Sequence, residues 1–354
     1  MVRPVLPLIS VCIPVFNGEN YISECIDSVL SQTEKNFELI IADNCSTDNT
    51  LEIVAAYSDQ RIKVFKNDSN LGSISNFNRC IELAKGEFFI LLPHDDILLP
   101  SALKTFRGPF LTDPKIGIAY SSYYIINKNG ERITLRTVTQ EDKIMNSEES
   151  IREFILYGNP IQCAMVRKEL FSHIGLFSYD LFVMCDIDMW SRIILDGNKA
   201  ACFSTPQNCL RVYSDSGQQA LLKPDKRSLG TLTNHLGYTP NPDFIRKNNY
   251  SFFVFEYLQK LFNRIPTDSD LQKLRPLSVN EWILESLIKH LFISLLRANW
   301  INAKQDTNLL ARIVRWAGIS GMIPVMIPVL ASLPLDLMKS FVNRFRQSKN
   351  VTSI

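Results

Sequence analysis

Short apolar runs alternate with helix-face patterns between Leu8 and Ser121, the order that a mostly parallel sheet with helical crossovers produces. The runs predict strands over Leu8 to Val15, Phe37 to Ala42, Ile62 to Phe65, Phe88 to Leu92 and Ile116 to Ser121. Tyr21, Ile22, Cys25, Ile26, Val29 and Leu30 recur on one stripe, which predicts a helix over Asn20 to Gln32. Two further helices are expected over Asn49 to Tyr57, with Ser46 and Thr47 as candidate caps, and over Asn76 to Ala84. The polar stretch 122–147 reads as a connecting hairpin rather than a domain break. Short strands and helices follow from Glu148 to Val212, among them Asp186 to Leu195, with Ile187, Trp190, Ile194 and Leu195 facing inward. After about Ser214 helices dominate, one of them presenting Leu284, Leu287, Ile288, Leu291, Phe292 and Leu295 at helix-face spacing. The pattern divides the chain into an α/β region, 1–215, and a helical carboxyl-terminal extension, 216–354.

Composition narrows the function classes. The chain has 354 residues, enough for a substantial core, and its 38 basic and 36 acidic side chains nearly cancel. No long single-sign run stands out, so nothing marks a nucleic-acid partner, and a small-molecule substrate is easier to accommodate. Eight cysteines are scattered singly, without a CxxC pair or zinc spacing, a usage that suits a reducing cytoplasm. The amino terminus, Met-Val-Arg-Pro-Val-Leu-Pro, lacks the small-residue cleavage site of a secretory signal. From Trp316 to Leu335 there are 20 residues without a charge, close to the length of a membrane span, but Pro324, Pro328 and Pro334 argue against a straight helix. Basic residues flank it on both sides, Arg312 and Arg315 before, Lys339, Arg344, Arg346 and Lys349 after. A shallow or in-plane segment near 316–349, touching the inner face of the membrane, and a buried core helix are both open.

Candidate chemistry sits where the apolar runs end. Gly86-Glu-Phe-Phe-Ile-Leu-Leu-Pro-His-Asp-Asp96 closes a buried strand on two adjacent acids, whose mutual repulsion a divalent cation would relieve. A solvated turn before Pro100 explains Asp95 and Asp96 equally well. Val11-Cys-Ile-Pro-Val-Phe-Asn17 runs into Gly18 and a helix start, placing backbone amides where a phosphate could rest, or forming an ordinary strand-to-helix turn. Asp43 ends the second strand, where an acid can meet a nucleobase or ribose, while Ser46, Thr47 and Asp48 suit an Asx turn. Asp186 and Asp188 open an amphipathic helix beside Met184, Met189 and Trp190, so one can act as a base and the other as a cap. His94, His173, His235 and His290 are isolated and read as packing or surface residues.

Taken in order, several fragments change the weight of each. They are Pro14-Val-Phe-Asn-Gly-Glu-Asn-Tyr-Ile22, Ser28-Val-Leu-Ser-Gln-Thr33, Phe37 to Thr50, Asn70-Leu-Gly72, Ala84-Lys-Gly-Glu-Phe88, His94-Asp-Asp96 and Cys185-Asp-Ile-Asp-Met-Trp190. Over about residues 8 to 215 the chain resembles a family-two inverting glycosyltransferase. The resemblance implies a GT-A fold, a Rossmann-like, mostly parallel central sheet flanked by helices. It implies transfer of a sugar from a nucleotide-diphosphate donor, a UDP-sugar foremost, to a hydroxyl of a glycan or lipid-linked acceptor, as in polysaccharide biosynthesis. Pro14, Val15, Phe16, Glu19, Asp43, Asn44 and Asp95 would line the nucleotide site. Asp95 and Asp96 would hold Mg²⁺ or Mn²⁺ on the diphosphate, with Asp96 the direct ligand, and Asp186 would be the general base. Arg211 and Tyr213 would support the acids or touch the diphosphate.

Four positions depart from the family pattern. Asn44 and Cys185 stand where many members carry an acid, and Pro93 where an acid often precedes the metal pair. Tyr213 takes the place of the histidine in a common Arg-x-His motif, and a phenol is a poor substitute for a metal-binding imidazole. These departures keep a second reading open, a catalytically weak or inactive sugar-nucleotide-binding scaffold of the same fold.

Overall fold

The computed structural model describes residues 8–157 and 163–213, together with 263 and 264. In chain order the elements are β1 (Ile9–Val15), α1 (Ile22–Leu30), β2 (Phe37–Asp43), α2 (Thr50–Ala55), β3 (Ile62–Lys66), α3 (Ser73–Leu83), β4 (Phe88–Leu91), β5 (Ile97–Leu98) and α4 (Ala102–Thr112). There follow β6 (Ile116–Ile126), β7 (Arg132–Arg136), β8 (Lys143–Met145), α5 (Ser147–Tyr157), β9 (Met165–Arg167), α6 (Phe171–Ile174), α7 (Cys185–Leu195) and β10 (Lys199–Arg211). All lie in the first of two compact units, Met1–Pro240; the second is Asn241–Ile354.

The sheet runs in the order β3-β2-β1-β4-β9-β6-β10-β5, with β7 added to β6 and β8 to β10. β3, β2, β1 and β4 pair in parallel, as does β6 with β10, while β9 joins the two parallel groups by pairing antiparallel to β4 and β6. This is the mostly parallel α/β architecture that the alternation of runs predicts. Strand β1 is central and buried along its whole length. Ile9, Val11, Ile13 and Val15 join a core with Ile22, Cys25, Ile26 and Val29 of α1 and Leu103, Phe106 and Phe110 of α4. Burial on both faces explains why β1 reads as an apolar run, broken only by Ser10, rather than an alternating one.

The first four predicted strands are present to within one residue at either end; the fifth continues from Ser121 to Ile126 and turns into β7, the expected hairpin. Helix α4 was not foreseen, because Gly108-Pro109 reads as a turn. Leu103, Phe106 and Phe110 bury against the sheet and carry the helix through Pro109. Ser46 and Thr47 do not cap α2, whose N-cap residue is Asn49; Asp48 forms the Asx turn before it, accepting the Thr50 N–H at 3.1 Å, while Ser46 Oγ accepts the Asn17 N–H at 2.9 Å. The extension expected from 216 onward lies, apart from 263 and 264, outside the described residues.

The amino-terminal ends of the parallel strands are tied around one buried acid, Glu38. Its carboxylate accepts from Ser10 Oγ at 2.6 Å, Lys85 N at 2.7 Å and Lys63 Nζ at 2.6 Å. Burial pushes the Glu38 carboxyl up, but the bonds from Lys63, Ser10 and Lys85 prevail and hold it below its ordinary value. Gly86 passes so close to β1 that a Cβ there would lie 2.6 Å from Ser10 N and 2.8 Å from the Ile9 carbonyl carbon.

Candidate active site

The carboxyl ends of β1 and β2 leave the sheet as two loops knitted to each other. Asn17 turns the first with φ 52° and Cys45 the second with φ 66°, left-handed conformations that side chains rarely adopt. The main-chain amides of Gly18 and Glu19 are taken by Thr50 Oγ1 at 2.8 Å and Asp48 Oδ2 at 3.0 Å, as that of Asn17 is by Ser46. The amides expected to await a phosphate therefore bind the neighbouring loop. Glu19 in turn accepts from Asn49 N at 3.1 Å and Asn49 Nδ2 at 2.7 Å. Pro14 and Val15 are buried at the strand end and Phe16 is half-exposed.

Asp43 and Asn44 part company. The Asp43 carboxylate accepts the Ser46 N–H, at 3.3 Å on Oδ1 and 3.2 Å on Oδ2. The Asn44 amide is committed to the loop after β3. Its Oδ1 accepts from Asn67 Nδ2 and Leu71 N, both at 2.9 Å, and its Nδ2 donates to Asn70 Oδ1 at 2.8 Å and Gly72 O at 3.3 Å. Asn76 of α3 extends this network, accepting from Asn67 Nδ2 at 3.1 Å and donating to Ala42 O at 2.7 Å. With its bonding capacity filled, Asn44 shapes the wall of the site rather than offering a free amide to a base.

Past β4 the chain turns at Pro93, whose carbonyl accepts the Asp96 N–H at 3.1 Å. Asp96 is 2 % exposed and accepts the main-chain N–H of Arg211 at 2.9 Å. Burial, and then the charge of Asp95, push its carboxyl well above the ordinary carboxylate range. Asp95 is half-buried. Arg211, at the end of β10, is 4 % exposed; its Nε donates to Asp95 O at 2.8 Å and its Nη1 to Asn127 O and Lys128 O, each at 3.2 Å. Its Nη2 reaches Glu24 of α1, and the guanidinium lies 4.6 Å from the Tyr21 ring centroid. Arg211 thus braces the acid loop from within. Tyr213, its ring 5.3 Å from that of Tyr21, hydrogen-bonds through its phenol to Asp95, and burial together with the Asp95 charge drives its proton affinity up.

Asp186 opens α7 and is half-buried. Burial pushes its carboxyl up to about 6, against the pull of the Ile187 N–H, which it accepts at 2.8 Å, and of its own N–H. Asp188 is fully buried and pairs with Arg192 at 2.9 Å, so the two acids of this helix divide into one available and one structural. Among the described residues Asp95, Asp96, Arg211 and Tyr213 are bonded together, whereas Asp186 is bonded to neither member of the acid pair. Glu24, Asn67 and Asn78 escaped the sequence reading, and Tyr21 figures there only as a helix-face residue; only the Asn70-Leu-Gly72 fragment pointed to the wall that Asn67 joins.

Among the described residues no group of three or more His, Cys, Asp or Glu is assembled that could hold a metal ion alone. Asp95 offers one half-buried carboxylate, shared with the Tyr213 phenol, beside a second acid. That donor set fits a magnesium-like ion, which is commonly held by one or two carboxylates while substrate phosphates and waters supply the rest.

Comparison with known proteins follows the same lines. The description of glycosyl transferase family 2 matches residues 10–175. An uncharacterized glycosyltransferase of Rickettsia prowazekii is 30% identical over 263 residues, 69% of this chain and 81% of that one. The UDP-Glc:alpha-D-GlcNAc-diphosphoundecaprenol beta-1,3-glucosyltransferase WfgD of Escherichia coli is 30% identical over 200 residues, 55% of this chain and 72% of that one. The crystal structure of S. aureus TarS 1-349 in complex with UDP-GlcNAc superimposes with a TM-score of 0.54 at 17% identity, covering 86% of this chain and 90% of that one, a likeness of fold. The chain belongs to glycosyl transferase family 2 and carries the GT-A fold.

Proposed function

We propose that this glycosyltransferase is an inverting enzyme that moves a sugar from a UDP-sugar to a hydroxyl of a glycan or lipid-linked acceptor, with Asp186 as general base. The observation that carries the reading is Asp186 itself: a half-buried carboxylate at the head of α7, held at about 6 by burial, ionised near neutrality yet able to take a proton. It removes the proton of the acceptor hydroxyl as that oxygen attacks the anomeric carbon from the face opposite the leaving diphosphate. One displacement inverts the configuration, and no covalent enzyme intermediate forms. The role of direct ligand for Mg²⁺ or Mn²⁺, expected from the sequence for Asp96, we assign instead to Asp95, the more open of the pair, because Asp96 is buried behind it against the Arg211 main-chain N–H. Such an ion would neutralise the charge that grows on the departing diphosphate. The donor class rests on TarS, solved with UDP-GlcNAc, and on WfgD, whose name specifies UDP-Glc and a diphosphoundecaprenol acceptor.

The test is a panel of UDP-sugars offered with and without Mn²⁺ and with an undecaprenyl-diphosphate-linked sugar, reading UDP release and the anomeric configuration of the product by NMR. Inverted product, lost in Asp186→Asn, is expected; a retained configuration, or full turnover in Asp186→Asn, sinks the reading. The Tyr213 phenol on Asp95 favours one alternative, a sugar-nucleotide-binding scaffold with little activity. UDP binding without turnover by the unaltered protein would select it.

A further inference from the structure

Asp186 and Trp190 stand one turn apart on α7 and so share a face of that helix. Trp190 is 4 % exposed and meets the Phe177 ring edge-on, with centroids 6.1 Å apart. Phe177 also packs edge-on against Phe77 of α3 at 5.8 Å. One buried side chain of α3 grips its main chain from both sides: Asn78 Oδ1 accepts the Phe177 N–H at 2.8 Å, and Asn78 Nδ2 donates to the Phe177 carbonyl at 3.1 Å. From the α7 side, Arg192, itself held by Asp188, donates to Ile174 O and to Leu176 O, the latter at 2.8 Å. The segment 174–177 is therefore clasped by two helices. The amino-terminal half of α3 is in turn tied to the end of β2 by the Asn76 bond to Ala42 O.

We infer that Asn78 is a positioning residue: through Phe177 and Trp190 it sets where α7 presents Asp186 relative to the strand ends that carry Asp43 and Asp95. The inference rests on the reading of Asp186 as the base. A side chain that only stabilised the fold would, on removal, lower the melting temperature and leave the turnover of the folded protein unchanged. A side chain that places the base separates catalysis from donor binding, because a misplacement of about 1 Å can cost about a hundredfold in rate.

The experiment compares unaltered enzyme, Asn78→Ala and Asp186→Asn at saturating acceptor, reading kcat, donor KM and UDP affinity by calorimetry, each on protein shown to be folded by its melting curve. For Asn78→Ala we expect kcat to fall by about 10- to 100-fold, with donor KM and UDP affinity within about twofold. Unchanged kcat, or kcat and UDP affinity falling together, overturns the inference. Wild-type turnover in Asp186→Asn instead removes the base assignment itself, whatever Asn78→Ala does. Should Asn78→Ala fail to fold, Phe177→Leu carries the test, since it removes the ring on which Trp190 rests and leaves the main-chain grip. The same loss of kcat at constant KM is expected there, and wild-type kcat overturns the inference.

Discussion

Asp186 works as a base only when ionised. With its carboxyl held at about 6 by burial, kcat/KM is expected to rise through pH about 6 and level off above it. A pH–rate profile that stays flat down to pH about 4, the ordinary range of a free carboxylate, would contradict this. Arg211 makes a separate prediction. Arg211→Met strands the carbonyls of Asp95, Asn127 and Lys128 and removes the partner of Glu24, so a loss of about 3 kcal/mol is expected in urea unfolding. Arg211→Lys should recover only part of it, because an ammonium cannot reproduce the planar fork. The acids were legible in the sequence as polar interruptions of apolar runs. The inward turn of Arg211 was not, because Glu24 lies 187 positions away on another element and no local spacing records the pairing.

The loops at the strand ends are held by side-chain amides in interlocking bonds, which makes them intolerant of apparently mild changes. Asn44→Asp would restore an acid common in the family, yet here it would set a carboxylate against Asn70 Oδ1 and Gly72 O. We expect it to cost about 1–3 kcal/mol and to weaken UDP binding, measured by thermal melting and calorimetry. Gly86→Ala should cost about 1–3 kcal/mol in the same melts, because the added methyl meets the backbone of β1 and no flexible side chain can give way. β1 and β2 could be read from sequence since both are buried along their whole length and their runs are mostly apolar. α4 could not, for its Gly108-Pro109 pair speaks locally for a turn while Phe106 and Phe110 are committed to the core. Tertiary burial outweighed local preference there.

The alternation of strands and helices was enough to give the α/β class, but not the far half of the sheet. β10 pairs with β6 across a register break between Phe203 and Asn208, and β5 inserts beside it after the acid pair, contacts between distant segments that periodicity cannot encode. Among the described residues no helix is long and apolar enough to cross a membrane. Residues 316–349 lie outside them, and their uncharged stretch between basic flanks leads us to expect that deleting 316–354 lowers the fraction sedimenting with anionic vesicles. An unchanged fraction would remove membrane contact from the account.

The Glu38 knot, at the amino-terminal ends of the parallel strands, and Asp186, at the head of α7, respond to acid at different points. Glu38 titrates below its ordinary value of about 4.3, so the stability it lends is complete above that value and is lost only as pH falls through the depressed one. Asp186 takes up its proton near 6. Mild acidification should therefore silence the enzyme while this anchor stays intact, and returning it to neutral buffer should restore activity without any refolding step.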